Sequence, residues 1–335
     1  MLESSTRKPL LLAMQPHQRR LVWGGTRLAP LSIDSGNTGG IAESLDVSCL
    51  SDMPSLVVSS SEEPRPLAEV FAADPVHWLG SRAPTGAAFP FLIKRLDADQ
   101  ALSIQVHPDD EAALRLEGQP NGKAEVWVVL DATPGAYVLL GFVEGTTEAA
   151  IREAVLDGSL PSLMRRIEVA PGDVIPVPCG CVHGIGEGVL FFEAQQTSDL
   201  TYRLFDWERV DASGAHRELH VDRALEVAKL DLRPNVVAPT RTLRGRGMTE
   251  WHLDDRGSFT LSRWNVAKSI TRMISTLTVF FVESGSCVIR TVGGEGQTVS
   301  AGETVLLAAA AFRVYVDPSP KTSLLVVQPH WRTES

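Results

Sequence analysis

Four side chains that commonly bind borderline metal ions lie in short, strand-like segments of this chain: Gln105, His107, Glu125 and His183. Gln105 and His107 are two residues apart, so both point to the same face of a strand. Two nitrogen and two oxygen ligands suit zinc in a roughly tetrahedral arrangement with room for a water or substrate oxygen. We therefore predict that the four converge on one ion. Each histidine alone could equally be a core residue, and Gln105 could contact substrate instead.

Length and charge restrict the class of protein. A chain of 335 residues is too long for one compact core, which favours about two domains. The formal charge of -10 argues against nucleic acid or an anionic membrane as the main partner, but it leaves room for an anionic small substrate. No stretch approaches the ~20 apolar residues of a membrane span. Four cysteines give no disulfide framework, so the cytoplasm is the predicted location.

Short segments of alternating apolar and polar residues, separated by turns, predict a mainly β protein with a barrel or sandwich in each half. Strands are predicted near 41–48, 91–96, 102–106, 125–130, 136–142, 173–177, 188–194 and 202–207, and almost throughout the chain from Gly257 onward. The clearest amphipathic helical region is 146–167, with Thr146 as its N-cap. A boundary near 238 divides the chain into 1–238, which contains the four ligands and the helical insertion, and 239–335.

The segment around His183 has a more specific pattern. Gly172, Pro178, Gly180 and His183 follow the spacing G-x5-P-x-G-x2-H. This spacing resembles the second motif of the cupin superfamily, a β-hairpin whose histidine points inward to a metal. The resemblance implies two cupin-like (jelly-roll) β-barrels. In the C-terminal half, Gly302 remains but the proline, second glycine and histidine are replaced, so the second barrel is expected to be degenerate and to bind no metal.

Longer segments make the resemblance closer. F-P-F-L-I-K-R-L-D-A-D-Q-A-L-S-I-Q-V-H-P-D-D, G-K-A-E-V-W and C-V-H-G-I-G-E-G-V-L-F-F-E-A-Q-Q-T-S-D-L-T-Y-R-L-F-D-W resemble type I mannose-6-phosphate isomerases in their shorter bacterial form. The similarity is dense from Leu21 to Trp207. It implies one zinc ion per chain, held by the four residues above. It also implies an essential arginine at Arg203, proton transfer by Lys123, and an Asp199 that holds sugar hydroxyls or orients Arg203.

Elementary chemistry is compatible with these roles but leaves alternatives. Lys123 precedes Glu125 by two residues and should face the same cavity; burial and a nearby cation would lower its pKa enough for it to act as a base. A surface lysine in a glycine-rich turn is the alternative. Arg203 lies in an apolar strand, where its guanidinium needs an anion. That anion could be Asp199, Asp206, or the phosphate or enediolate of a substrate.

The function favoured by these observations is the interconversion of mannose 6-phosphate and fructose 6-phosphate by a metal-dependent isomerase that acts as a monomer or homodimer. An iron-dependent cupin oxygenase on the same ligands is one alternative, and a non-catalytic sugar-phosphate-binding cupin is another. Cys179 and Cys181 flank the turn before His183 and are expected to lie in the wall of the site, not to bind metal.

Overall fold

The computed structural model describes residues 8–28, 40–59, 63–210, 214–245, 247–255, 257–294 and 296–331. Strands account for 45% of residues and helices for 14%, which confirms the prediction of a mainly β chain. Within the described ranges, no helix is both long and apolar enough to cross a membrane. The chain divides into two compact units: a site unit (residues 17–50 and 91–238) and a second unit (residues 1–16, 51–90 and 239–335).

The strands, in chain order, are β1 (Leu11–Gln15), β2 (His17–Arg19), β3 (Glu43–Val47), β4 (Leu56–Val58), β5 (Arg65–Pro66), β6 (Leu92–Ala98), β7 (Ile104–Val106), β8 (Glu125–Ala132), β9 (Tyr137–Phe142), β10 (Met164–Glu168), β11 (Val174–Val177), β12 (His183–Ile185), β13 (Val189–Gln195), β14 (Tyr202–Phe205), β15 (Thr240–Gly245), β16 (Met248–Asp254), β17 (Phe259–Val266), β18 (Ile270–Met273), β19 (Thr278–Thr291), β20 (Gly296–Ser300), β21 (Thr304–Leu307) and β22 (Arg313–Pro329). The α-helices are α1 (Leu67–Ala72), α2 (Pro75–Leu79), α3 (Asp110–Glu117), α4 (Glu148–Leu156) and α5 (Val221–Val227).

The site unit contains two antiparallel sheets. One has the strand order β11-β8-β13-β6-β3-β2, and the other has the order β10-β9-β12-β7-β14. Strand β3, which lies in the strand predicted near 41–48, is buried along its whole length. Its polar side chains are tolerated because they are paired: Asp46 accepts hydrogen bonds from the Arg95 guanidinium at 2.7 and 2.9 Å, and Ser44 donates to Asp46 at 2.7 Å.

The helix predicted over 146–167 is shorter than expected. It spans only the nine residues of α4, and Thr147, not Thr146, caps it by accepting a hydrogen bond from a backbone N–H of its first turn. A 3-10 turn at Leu160–Leu163 follows, and β10 then pairs with β9. The apolar spacing beyond residue 156 therefore belongs to a turn and a strand, a difference that short apolar runs do not reveal.

The second unit is organised around one large sheet with the order β15-β16-β17-β22-β19-β21-β1-β4-β5, to which β18 and β20 are added by pairing with β22 and β19. Strand β1 pairs with β21, with Leu12 opposite Leu306, so residues 1–16 and 51–90 belong to the same unit as the C-terminal strands. The predicted division assigned those residues to 1–238. Its boundary near 238 coincides with a change of unit, and the roles of the two predicted domains stay predictions.

Candidate active site

Three of the four predicted metal ligands meet in the site unit. His107 directly follows β7, Glu125 begins β8, and His183 begins β12. Because β12 pairs with β7, His183 lies opposite Gln105 and one strand away from His107. The ligand atoms of His107, Glu125 and His183 all lie within 4.8 Å of one another, and all three residues are buried.

The geometry of this group suits a small cation. Nε2 of His107 lies 3.1 Å from Oε1 of Glu125, and Nε2 of His183 lies 4.0 Å from Oε2 of the same carboxylate. Tetrahedral ligands about 2.0–2.2 Å from zinc would be separated by about 3.2–3.6 Å, which falls between these distances. Nε2 of His107 is buried and has no hydrogen-bond partner among the residues that the structure describes. An unpaired buried lone pair is costly unless a ligand meets it, so these residues fit a metal ion.

The outward-facing nitrogens of both histidines are held by the backbone. Nδ1 of His107 donates to the Leu200 carbonyl at 2.8 Å, and Nδ1 of His183 donates to the Cys181 carbonyl at 3.0 Å. This arrangement leaves both Nε2 atoms as lone pairs directed at the site. Burial lowers the pKa of both imidazoles, with that of His183 falling to about 3, so both are neutral and able to bind metal.

Gln105 lies beside the three buried ligands. Its Nε2 is 3.4 Å from Nε2 of His183, and its Oε1 accepts a hydrogen bond from Ser103 at 3.2 Å. A half-turn about the last side-chain bond would exchange the two amide atoms and present oxygen to a cation. The structure therefore places Gln105 next to the cluster, and its role as a ligand stays a prediction.

The Glu125 carboxylate has two further buried partners. Nζ of Lys123 lies 3.1 Å from Oε1, and the indole of Trp127 donates to Oε2 at 3.0 Å. Burial alone would lower the pKa of Lys123, but the carboxylates of Glu125, Glu193 and Asp199 outweigh burial and raise it. From sequence, burial and a nearby metal ion were expected to lower the pKa of Lys123. The structure gives the opposite direction because carboxylates surround the ammonium group.

A cavity of about 280 Å³ lies over these residues, and its walls carry many charged groups. Two of these charged residues, Lys94 and Glu193, were not among the site residues predicted from sequence. They are opposite one another on β6 and β13 and are almost fully buried. Burial, and then the nearby Glu125 carboxylate, raise the pKa of Glu193. A sequence signal for both residues exists, because each is a charged residue next to strongly apolar ones. Lys94 follows Phe-Leu-Ile, and Glu193 lies between Phe-Phe and Ala.

Arg203 also lines the cavity, and it makes no ion pair with any described residue. Its Nη1 donates to the Glu218 carbonyl at 3.0 Å, while its buried Nε has no hydrogen-bond partner within the described ranges. The two carboxylates predicted as partners are engaged elsewhere. Asp199 lies 3.6 Å from Lys94, and Asp206 is paired with two other arginines. The guanidinium of Arg203 is therefore available to an anion from solution.

Comparison with known proteins places this arrangement in a family. Residues 11–130 match the family model described as phosphomannose isomerase type I, catalytic domain. The mannose-6-phosphate isomerase of Streptococcus mutans is 34% identical over 266 residues, covering 78% of this chain and 80% of its own. The mannose-6-phosphate isomerase ManA of Bacillus subtilis is 38% identical over 231 residues, covering 68% and 70%. The chain belongs to the type I phosphomannose isomerase family. The family predicted from sequence is thus confirmed.

Solved phosphomannose isomerase structures share the fold along nearly the whole chain. The crystal structure of mannose 6-phosphate isomerase from Bacillus subtilis matches with a TM-score of 0.86 at 26% identity, covering 96% of this chain and 100% of the other. A mannose 6-phosphate isomerase bound with zinc and yttrium matches with a TM-score of 0.75 at 15% identity, over 96% and 100%. The mainly β, cupin-like fold implied by the sequence resemblance is confirmed by these matches.

Among the described residues, the two cysteines near His183 contribute no atom to the buried group that could hold a metal ion. Burial raises the pKa of Cys179 to about 11 and that of Cys181 to about 12, which disfavours the thiolate that a metal requires. Cys181 packs in the apolar core together with Trp127 and Ile175. Both thiols stay outside the group formed by His107, Glu125 and His183 among the described residues.

Proposed function

We propose that this chain is a metal-dependent aldose–ketose isomerase that interconverts mannose 6-phosphate and fructose 6-phosphate. The observation that carries the proposal is the convergence of His107, Glu125 and His183 beside a cavity that also contains Lys123 and an unpaired Arg203. The Streptococcus mutans and Bacillus subtilis relatives are named mannose-6-phosphate isomerases, which supports mannose 6-phosphate as the substrate. Neither the oxygenase nor the non-catalytic alternative receives comparable support.

A single zinc ion per chain would be held by Nε2 of His107, Nε2 of His183, the Glu125 carboxylate and the Gln105 amide oxygen. When bound, zinc would supply a positive charge that polarises the open-chain carbonyl oxygen and opposes the field of Glu125 at Lys123. The zinc-bound relative supports this choice of metal. Trp127 and the carbonyls of Leu200 and Cys181 orient the ligands.

The isomerisation removes a proton from C2 of the aldose and returns one to C1, while a hydroxyl proton moves between the two oxygens. We assign proton transfer to Lys123, whose Nζ is buried at the cavity wall and hydrogen-bonded to Glu125. The unpaired guanidinium of Arg203 stabilises negative charge on the substrate. Asp199, held 3.6 Å from Lys94, accepts hydrogen bonds from sugar hydroxyls.

A coupled assay of fructose 6-phosphate formation by zinc-loaded protein tests the proposal. Arg203→Ala should lower kcat/KM by roughly 100- to 1,000-fold, in the range observed when one donor to a developing negative charge is removed. Arg115→Ala is the matched control, because Arg115 is exposed and pairs with Glu226 at 2.5 Å. Absence of turnover would reject the substrate assignment, and full activity of Arg203→Ala would reject the role of the arginine.

The alternatives predict different signals in the same preparation. An oxygenase would consume oxygen when loaded with iron and would not turn over the sugar phosphate. A binding protein would retain the sugar phosphate without exchanging the C2 hydrogen with solvent. An isomerase that works by proton transfer moves this hydrogen from C2 to C1 and exchanges part of it with solvent. The cytoplasmic location and the monomeric or homodimeric state stay predictions from sequence.

A further inference from the structure

Lys123 lies in a segment without regular secondary structure, residues 118–124, which joins α3 to β8. Its side chain is buried, with 5% of its surface exposed. A lysine side chain is a flexible four-carbon stem, so the position of its Nζ depends on where the backbone at residue 123 is held. The contacts that fix this backbone therefore decide where the ammonium group lies in the site.

Two side chains from outside the segment hold the peptide groups on either side of Lys123. The N–H of Gly122 donates to Oδ1 of Asp110 at 2.8 Å. The N–H of Ala124 donates to Oε1 of Gln196 at 2.9 Å. Asp110 begins α3, and Gln196 directly follows β13. The segment is therefore anchored to a helix on one side of Lys123 and to the end of a strand on the other.

The two anchoring side chains are also bonded to each other. Nε2 of Gln196 donates to the same Oδ1 of Asp110 at 2.9 Å. Because this bond fixes the orientation of the amide, the oxygen of Gln196 is directed at the N–H of Ala124. The backbone N–H of Gln196 donates in return to the Ala124 carbonyl at 3.1 Å. Loss of the Asp110 carboxylate would therefore weaken both anchors.

Gly122 lets the segment lie close to the start of α3. A Cβ at this position would lie 2.5 Å from the Pro108 carbonyl oxygen and 2.5 Å from the carbonyl carbon of Asp109. Glycine has no Cβ and permits this approach. The N–H of Lys123 donates to the same Pro108 carbonyl at 3.1 Å. Three consecutive N–H groups, those of residues 122–124, are thus bound, which leaves the backbone at Lys123 little room to shift.

A small shift of this backbone would matter for proton transfer. A general base works within about 2.6–3.2 Å of its partner atom. A displacement of about 1 Å that originates far from the reacting atoms can lower a rate by about 100-fold. Asp110 is exposed and Gln196 is half-buried, and the described wall of the cavity does not include them. Their contribution is therefore made through the segment that carries Lys123.

We propose that Asp110 and Gln196 are positioning residues for the reaction: they hold the backbone on both sides of Lys123 and so place its Nζ for proton transfer between C2 and C1. This inference rests on the proposed function, which assigns proton transfer to Lys123. Loss of either anchor is expected to lower kcat and kcat/KM together, because the substrate still binds and the base is displaced.

The test compares two substitutions of Asp110 in zinc-saturated protein. Asp110→Ala should lower kcat for mannose 6-phosphate by about 10- to 100-fold with little change in KM. Asp110→Asn should recover most of this loss, because the amide keeps an oxygen that accepts both hydrogen bonds. Gln196→Leu, which has no polar atom, should resemble Asp110→Ala. Glu111→Ala is the matched control and should keep its full kcat, since Glu111 is an exposed acidic residue in the same first turn of α3.

Mannose 6-phosphate labelled with deuterium at C2 separates a displaced base from a loss of folded protein. A displaced lysine returns the hydrogen more slowly, which leaves more time for exchange with solvent. Asp110→Ala should therefore transfer a smaller share of the deuterium to C1 of fructose 6-phosphate than the unsubstituted protein does. A substitution that only reduces the amount of folded enzyme would leave this share unchanged.

Unchanged kcat in Asp110→Ala, or an equal loss in Asp110→Ala and Asp110→Asn, would overturn the inference. If Asp110→Ala does not fold, full activity of Gln196→Leu would overturn it. Amide hydrogen exchange at Gly122 and Ala124, expected to be about 10- to 100-fold faster in Asp110→Ala, measures the anchoring without turnover. If the unsubstituted protein does not convert mannose 6-phosphate, the proposed function fails, and the exchange rates still decide whether Asp110 and Gln196 hold the segment.

Discussion

Replacing Trp127 by phenylalanine should weaken zinc binding without removing any ligand. The indole N–H of Trp127 donates to Oε2 of Glu125 at 3.0 Å, and the two residues are 1% and 4% exposed. Phenylalanine retains an aromatic ring in the core but has no donor. The carboxylate oxygen then loses its partner in a place that water cannot easily reach.

A hydrogen bond to a charged group contributes about 1.5–3 kcal/mol, and about 1.4 kcal/mol corresponds to a tenfold change in an equilibrium constant. Zinc affinity should therefore fall by about 10- to 100-fold, which is also the range for removing a partner of a metal ligand. Lys123 still contacts Oε1 at 3.1 Å, so the carboxylate keeps its charge and the site is weakened, not abolished.

Competition between the metal-free protein and a chromophoric chelator measures this affinity. Trp264→Phe in the second unit is the control, because its indole is 3% exposed and its N–H has no hydrogen-bond partner among the described residues. Both substitutions remove similar volume from a core, but only Trp127→Phe removes a bond to Glu125. Equal zinc affinities for the two variants would refute the reasoning.

Two further predictions concern stability. Gly180→Ala should lower the free energy of unfolding by several kcal/mol, because φ is 84° and a Cβ would lie 2.9 Å from the Val227 carbonyl; Gly172→Ala, with φ of 98° but open space, should lose only about 1–2 kcal/mol. Equal losses in chemical denaturation would contradict this. The second prediction concerns Asp206. Burial alone would raise the pKa of its carboxyl, but hydrogen bonds from Arg217 and Arg209 outweigh burial and hold this pKa below its ordinary value. The carboxylate therefore stabilises the fold above about pH 4, and this contribution disappears as pH falls toward the folded-state pKa. The difference in unfolding free energy between the unsubstituted protein and Asp206→Asn should shrink in acid, and a constant difference would contradict this.

The convergence of His107, Glu125 and His183 could be predicted from sequence, and their binding of a metal stays a prediction. Gln105 and His107 are two residues apart in an extended segment, so they share a face. The resemblance of the segment before His183 to a cupin motif implied a hairpin that directs this histidine inward. The same periodicity predicted the strands around the site, such as β6, β8, β9 and β13. The lengths of the elements were harder to predict. The helix predicted over 146–167 spans only nine residues, because an apolar run does not show where a helix ends and a turn begins.

The rest of the cavity depends on long-range pairing. Lys94 and Glu193 face each other only because β6 and β13 are adjacent in the sheet. Arg217 belongs to a polar segment that reads as a solvated surface, and its place in the cavity depends on a contact with Asp206, eleven residues earlier. The pKa of Lys123 also followed from this pairing, since carboxylates from distant strands surround its ammonium.

The most direct test of the account is a zinc titration of metal-free protein, followed by the initial rate of fructose 6-phosphate formation from mannose 6-phosphate. If Gln105, His107, Glu125 and His183 share a single catalytic ion, the rate should rise linearly and stop rising at one zinc per chain. A metal-free protein that already works at the full rate, or a rate that zinc leaves unchanged, would contradict it.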